Sequence, residues 1–167
     1  MKDHAVENLL WFRKHFPNVY HQLRNRQPDA TQVRLTAARN EQYNLEIFVG
    51  NDWVPLYSRY NPEQEARRWA QQLQLDSEEL ILIGLGLGYH LKALLENYPE
   101  VKVHVFEPNE QILLAALQGG IFFDLPASRI SSMAVGQGDD KKKFFQSVTH
   151  FFQPILNNLL HQKVELL

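Results

Sequence analysis

The sequence predicts an α/β fold built on a parallel sheet, and three observations carry that prediction. From position 76 onward, strand-like and helix-like segments alternate: LILIG, YHLKALLEN, KVHVFE, EQILLAAL, RISSMAV and a Phe-rich helical run from Asp140. Alternation of this kind calls for parallel strands joined by right-handed helical crossovers. The first strand runs straight into Gly84, Gly86 and Gly88, and an acidic residue, Glu107, closes the second strand 23 residues after Gly84. Residues 76–167 therefore read as a Rossmann-like half of a doubly wound parallel sheet.

Residues 1–75 read as an N-terminal helical and β-hairpin extension. Val6, Leu9, Leu10, Phe16, Val19, Tyr20 and Leu23 recur at helical spacing, and Pro17 either opens a second helix or kinks a single one. The stretch from Gln27 to Asn44 is polar, with Val33–Ala38 as a short strand. NLEIFV and DWVPLY flank Gly50-Asn51-Asp52, which is a hairpin signal. Asn61-Pro62-Glu63-Gln64 starts a helix: Asn as N-cap, Pro at the first helical position, Gln at the capping-box position. Its apolar stripe, Ala66, Trp69, Ala70 and Leu73, carries it to about Leu73.

In the second half, LILIG is a continuous apolar run and reads as a buried strand, followed by a helix over Tyr89–Asn97. KVHVFE is the next strand, Glu110–Leu117 the next helix and RISSMAV the third strand. A single helix follows, so the first strand has no fourth strand beside it. Either the N-terminal β segments cover that edge or the chain is a piece of a longer protein, and the second is the expectation adopted. Phe144, Phe145, Val148, Phe151, Phe152 and Ile155 make a stripe wider than one sheet face needs, which suggests core plus a partner surface, with Pro154 kinking the helix. Lys141, Lys142 and Lys143 read as solvated surface.

Composition excludes several functions. With 44% apolar residues the chain can fill a core, while a net charge of −2 and a pI near 6.4 give no basic field for nucleic acid or membrane. There is no cysteine, which removes disulfides and thiolate chemistry and fits a reducing compartment. No run approaches the roughly 20 apolar residues of a membrane span, and the expected location is cytoplasmic. The seven His show no H-x-x-x-H or H-E-x-x-H spacing, so no metal site is expected, and G-x-S-x-G is absent.

The chemistry is concentrated at the glycine turn. Glycines at a strand–helix junction let the backbone turn tightly and let a ligand approach, and the helix N–H groups attract phosphate or carboxylate. An acid at the end of the next strand commonly receives ribose hydroxyls. The candidate cofactor-binding residues are Gly84, Gly86, Gly88, Tyr89 and Glu107, for a nucleotide or S-adenosylmethionine; no catalytic residue is assigned. Tyr89 stands where the dinucleotide fingerprint needs a small residue, which disfavours a nicotinamide or flavin dinucleotide. G-x-G-x-G resembles the first motif of S-adenosylmethionine methyltransferases and aminopropyltransferases, and Leu82, where the former usually carry an acid, favours the latter. The same pattern also follows if the glycines merely pack helix on strand and Glu107 is a solvated strand end. His90 reads as a helix-surface residue.

Four segments, NLLWFRKHFPNVYHQL, LYSRYNPEQEARRWAQQL, IGLGLGYHLKALLENYP and VHVFEPN, resemble the N-terminal domain of motility associated factor (Maf) proteins. The block Ser58, Tyr60, Pro62 and Glu65 ahead of Gly84, Gly86, Gly88, Tyr89 and His90 is the most specific part of the likeness. These are bacterial glycosyltransferase-family proteins linked to sugar modification of flagellin. The resemblance implies a Rossmann-like module that precedes a sugar-transferring central domain, which has no counterpart in these 167 residues. It implies a binding or positioning role without catalysis by this part alone, with the catalytic domain of a longer parent chain and flagellin as partners. The rival readings are a methyltransferase-like or aminopropyltransferase-like enzyme and an interaction module that uses the Phe-rich helix.

Overall fold

The computed structural model describes residues 2–148. Two helices open it, α1 (Ala5–His15) and α2 (Pro17–Leu23), with Pro17 at the first position of the second. A proline has no N–H to give to a preceding turn, so the helix restarts there instead of kinking. Next come β1 (Val33–Ala37), β2 (Tyr43–Val49) and β3 (Asp52–Pro55), an antiparallel sheet in the order β1-β2-β3. Arg34 and Glu46 face each other across β1 and β2, and both Nε and Nη2 of Arg34 donate to Glu46 Oε2, at 2.8 and 2.6 Å.

Helix α3 (Pro62–Gln72) starts as the sequence predicts. Asn61 Oδ1 accepts the Gln64 N–H at 2.9 Å, while the Asn61 N–H turns to Ser58 Oγ at 3.4 Å. The alternating half follows: β4 (Glu79–Ile83), α4 (Tyr89–Asn97), β5 (Lys102–Glu107), α5 (Glu110–Gly119), two short 3₁₀ turns, β6 (Ile130–Val135), and a helix α6 over 139–148. The three strands are parallel in the order β4-β5-β6. This is the α/β arrangement expected from the alternation.

The two faces of the parallel sheet are covered differently. Side chains alternate along a strand, so Val103, Val105 and Glu107 of β5 share one face and His104 and Phe106 the other. Val103 and Val105 belong to the main core, with Phe12, Leu45, Leu91 and Leu113, so residues from both sides of position 75 share it. On the opposite face Phe106 packs with Phe144 and Val148 of α6, flanked by Ile81, Ala134 and Phe145. Phe144 and Val148 are thus core, Lys141, Lys142 and Lys143 are exposed as expected, and Phe151, Phe152, Pro154 and Ile155 lie outside the described residues.

One expectation is corrected here. LILIG does form a strand, but not a buried one: among the described residues β4 is an edge paired only with β5, half-buried along its length and with Ile83 61% exposed. Its apolar run is the pattern of a parallel strand covered on both faces. Among the described residues that cover is partial.

Buried polar groups tie the elements together. Asn8 Nδ2 donates to Leu117 O (2.9 Å) and Gly120 O (2.8 Å), and its Oδ1 accepts the Phe123 N–H (3.1 Å), which pins α1 to the end of α5. Arg129 donates to Leu95 O at 2.7 Å and to the carbonyls of Tyr98 and Val101, satisfying the carbonyls where α4 ends. His104 lies within reach of Ser132 Oγ on one side (2.7 Å) and Glu79 Oε2 on the other (3.0 Å), linking three strands.

Replacing Asn8 by Leu leaves two carbonyls and one N–H unpaired in the interior, each costing about 1–3 kcal/mol. Thermal unfolding of Asn8→Leu is expected at least about 5 °C below the parent. An unchanged midpoint would remove Asn8 from the tie between α1 and α5.

Candidate functional site

The backbone leaves β4 at Ile83, passes through residues 84–88 and enters α4, with Gly88 as its N-cap. Gly84, Gly86 and Gly88 all have positive φ, at 91°, 52° and 92°. At Gly86 the requirement is double: a Cβ there would lie 2.0 Å from Tyr57 Oη, so the tyrosine hydroxyl occupies the space a side chain would need.

Glu107 ends β5 directly beneath this turn and is only 2% exposed. Its Oε2 accepts the N–H groups of Leu85 (2.8 Å) and Gly86 (3.1 Å), and its Oε1 accepts that of Asn109 (3.0 Å). Tyr57 Oη accepts the Leu87 N–H at 2.7 Å, and the Gly88 N–H bonds to Leu85 O at 2.9 Å. Four successive N–H groups, 85 to 88, therefore all have acceptors within the chain. Such a run of backbone N–H groups ordinarily makes an anion-binding concavity. Here a carboxylate of the protein itself lies in it.

Tyr57 comes from the loop between β3 and α3, and that loop is fastened on several sides. Asn44 Nδ2, buried, donates to the carbonyls of Tyr57 and Ser58, both at 3.1 Å. The Ser58 N–H donates to Glu65 Oε2 at 2.6 Å, and Ser58 Oγ accepts from the Tyr60 N–H at 3.2 Å. Burial pushes the Tyr57 phenol well above its ordinary range, against the Leu87 N–H and reinforced by the nearby Glu107 carboxylate. The hydroxyl stays protonated at any physiological pH.

Tyr89 adjoins the turn but points elsewhere. Its hydroxyl donates to Tyr43 O at 3.1 Å, its ring meets Tyr57 edge-on at 5.4 Å, and burial, then Glu63 and Tyr43, push its phenol up to about 12. It lines a cleft of about 250 Å³ with Tyr43, Lys92, Gly119 and Ile121 among its neighbours. His90 is not the plain surface residue expected. It stacks on Tyr57 at 5.7 Å and meets Trp69 edge-on at 5.0 Å, and burial lowers its pKa against the opposing pull of Glu65.

The structure thus gathers Gly84, Gly86, Gly88 and Glu107 into one hydrogen-bonded unit, with Tyr89 alongside it. A ribose or phosphate approaching Gly86 in this arrangement meets the Tyr57 hydroxyl, and Glu107 is 2% exposed with both oxygens already accepting backbone N–H groups. The residue that sequence reasoning missed is Tyr57, 30 positions from the N–H it holds. Its only trace in the sequence is its place beside the Ser58, Tyr60, Pro62 and Glu65 block. A larger polar cleft, about 520 Å³, lies away from the turn along α3, with Gln42, Asn61, Glu63 and Arg68 in its wall. Among the described residues no three His, Cys, Asp or Glu side chains are grouped to hold a metal ion, and no helix is long and apolar enough to cross a membrane.

Two outcomes follow for the turn. Gly84 has open space around the missing Cβ, so Gly84→Ala meets only the positive-φ strain of about 1–2 kcal/mol. Gly86→Ala adds the collision with Tyr57, and chemical denaturation is expected to show a clearly larger loss for it; equal losses would mean Tyr57 does not fill the turn. His90, whose folded pKa lies below its ordinary value of 6.5, takes up protons more readily when unfolded. Its contribution to stability is complete above about pH 6.5 and is lost as pH falls through the lowered folded value. The unfolding midpoint of the parent is expected to drop more steeply than that of His90→Gln between about pH 7.5 and 5; parallel profiles would count against it.

Comparison with known proteins supports the fold and the family. A solved Maf glycosyltransferase from Magnetospirillum magneticum superposes with a TM-score of 0.61 at 16% identity, over 86% of this chain and 29% of that one. At this identity the likeness is one of fold, and the chain spans less than a third of that protein's length. No curated protein matches the sequence. The family model described as the glycosyltransferase Maf N-terminal domain matches residues 61–162, more than half of the sequence and all of the glycine turn, Glu107 and the strands around them; the chain belongs to the glycosyltransferase Maf N-terminal domain family.

Proposed function

We propose that this domain is the Rossmann-like N-terminal module of a Maf glycosyltransferase-type protein, and that it positions the sugar-transferring part of a longer chain during flagellin glycosylation. The observation that carries the positioning role is the closed state of the glycine turn. Glu107 and Tyr57 supply acceptors for the N–H groups of Leu85, Gly86 and Leu87. In a nucleotide or S-adenosylmethionine site such N–H groups face the ligand, and the acid faces its ribose. In this reading Gly84, Gly86, Gly88 and Glu107 serve the junction of β4, α4 and β5, and Tyr89 braces it against β2. Catalysis belongs to the remainder of the parent protein, with flagellin as acceptor. A cytoplasmic location is part of the proposal and fits the cysteine-free composition.

The ligand-binding alternative keeps one point in its favour, because Glu107 does end the strand beside the glycine turn, where a ribose-binding acid stands. It requires Tyr57 to leave Gly86 and Glu107 to exchange partners. Isothermal titration of the chain with S-adenosylmethionine, and in parallel with a CMP-linked acidic sugar, separates the two. The expected result is no binding at micromolar concentrations, together with a lowered unfolding midpoint for Glu107→Ala without any ligand present. Micromolar affinity that falls several-fold in Glu107→Ala would replace the positioning role by cofactor binding. Sugar-nucleotide turnover by the chain alone would overturn its non-catalytic assignment.

A further inference from the structure

We propose that the free edge of β4 is the seat of a further parallel strand, supplied by the longer polypeptide of which this domain is the N-terminal module. This rests on the positioning role proposed above and specifies where the positioning is done.

The edge is chemically open. Glu78 O and the Gly84 N–H bond to β5, so even-numbered residues of β4 face that neighbour and Glu79, Ile81 and Ile83 face outward. Glu79 is engaged locally: its N–H donates to Ser77 Oγ at 3.2 Å, and its carbonyl accepts the Ser77 hydroxyl at 2.9 Å. That leaves the N–H and C=O of Ile81 and Ile83 directed at the unpaired side, where no strand stands among the described residues.

The opposite edge is partly occupied. On β6, Asn18 of α2 donates its Nδ2 to Met133 O at 2.8 Å, so a helix side chain takes a carbonyl that another strand could use. Protected edges carry such covers, or prolines, bulges and lysines. The β4 stretch Leu80-Ile81-Leu82-Ile83 has none of these and presents Ile83 at 61% exposure.

Topology singles out the occupant. The β4–β5 and β5–β6 crossovers, α4 and α5, lie on the face with the main core, whereas α6 packs on the other face against Phe106 and near Ile81 and Ala134. A chain that leaves β6 and returns along that second face by a right-handed crossover arrives beside β4, in parallel. A second copy of this chain meeting β4 across a two-fold axis would pair antiparallel and would not use the path α6 has begun. The part of the solved relative that this chain matches is 29% of that protein, so most of the longer polypeptide lies outside the matched domain.

Residue-resolved amide exchange tests the seat directly. In this chain alone, Leu80 and Leu82 are expected to exchange slowly and Ile81 and Ile83 fast. In the natural protein that carries this domain together with its transferase part, Ile81 and Ile83 are expected to slow by at least about a hundredfold. Ile83→Lys should return Ile81 and Ile83 to fast exchange in the longer protein, and leave the unfolding midpoint of the domain alone unchanged. Fast exchange of Ile81 and Ile83 in the longer protein overturns the proposal. So does protection in the isolated chain, whether it fades on dilution, which marks a second copy, or persists, which marks cover from within the chain. The exchange readout is independent of sugar transfer: slowed edges in a protein without transferase activity would remove the functional reading and leave the strand in place.

Discussion

The hydrogen bonds that Glu107 accepts from Leu85, Gly86 and Asn109 hold the rest of the domain in register. They join the ends of the first two parallel strands, set the direction in which α4 leaves, and place the start of α5. A buried carboxylate is expensive to desolvate, by several kcal/mol, unless donors surround it. Three N–H donors to an ionised group, each contributing about 1.5–3 kcal/mol, are of the size needed to offset that. An anion entering the turn would have to displace this carboxylate.

Around that node the N-terminal extension is built into the sheet layer instead of being appended to it. Tyr57 reaches from the β3–α3 loop to the Leu87 N–H, Tyr89 reaches back to Tyr43 O, and Asn8 clamps α1 to the far end of α5. Trp69 and Tyr57 enclose His90 from two sides. The antiparallel sheet, α3 and the glycine turn are thereby joined by hydrogen bonds and ring contacts.

The parallel sheet is asymmetric. One face is closed by α4, α5 and the extension; the other is covered near Phe106 by α6, and the β4 edge is left with half-buried isoleucines and leucines.

Much of this was legible in the sequence. The alternation from position 76, the Asn61-Pro62 start of α3, a break at Pro17 and the hairpin around Gly50 were all readable, because each rests on a local rule: side-chain period, capping geometry or turn chemistry; that the break is a restart and not a kink was left to the structure. The glycine spacing and Glu107 were legible as a junction too, but their partners were not. Whether Glu107 faces a ribose or the N–H of Leu85, and whether Gly86 faces a ligand or Tyr57, depends on contacts 21 to 30 residues apart that leave no periodic trace. The apolar run LILIG was read as a buried strand for the same reason: composition records that a strand wants cover on both faces, while the sheet order alone decides whether the cover is there. Sequence by itself determined the elements and their order; only the tertiary structure decided that the turn is filled from within and that β4 is an edge among the described residues, because both are settled by which distant groups come within hydrogen-bond reach.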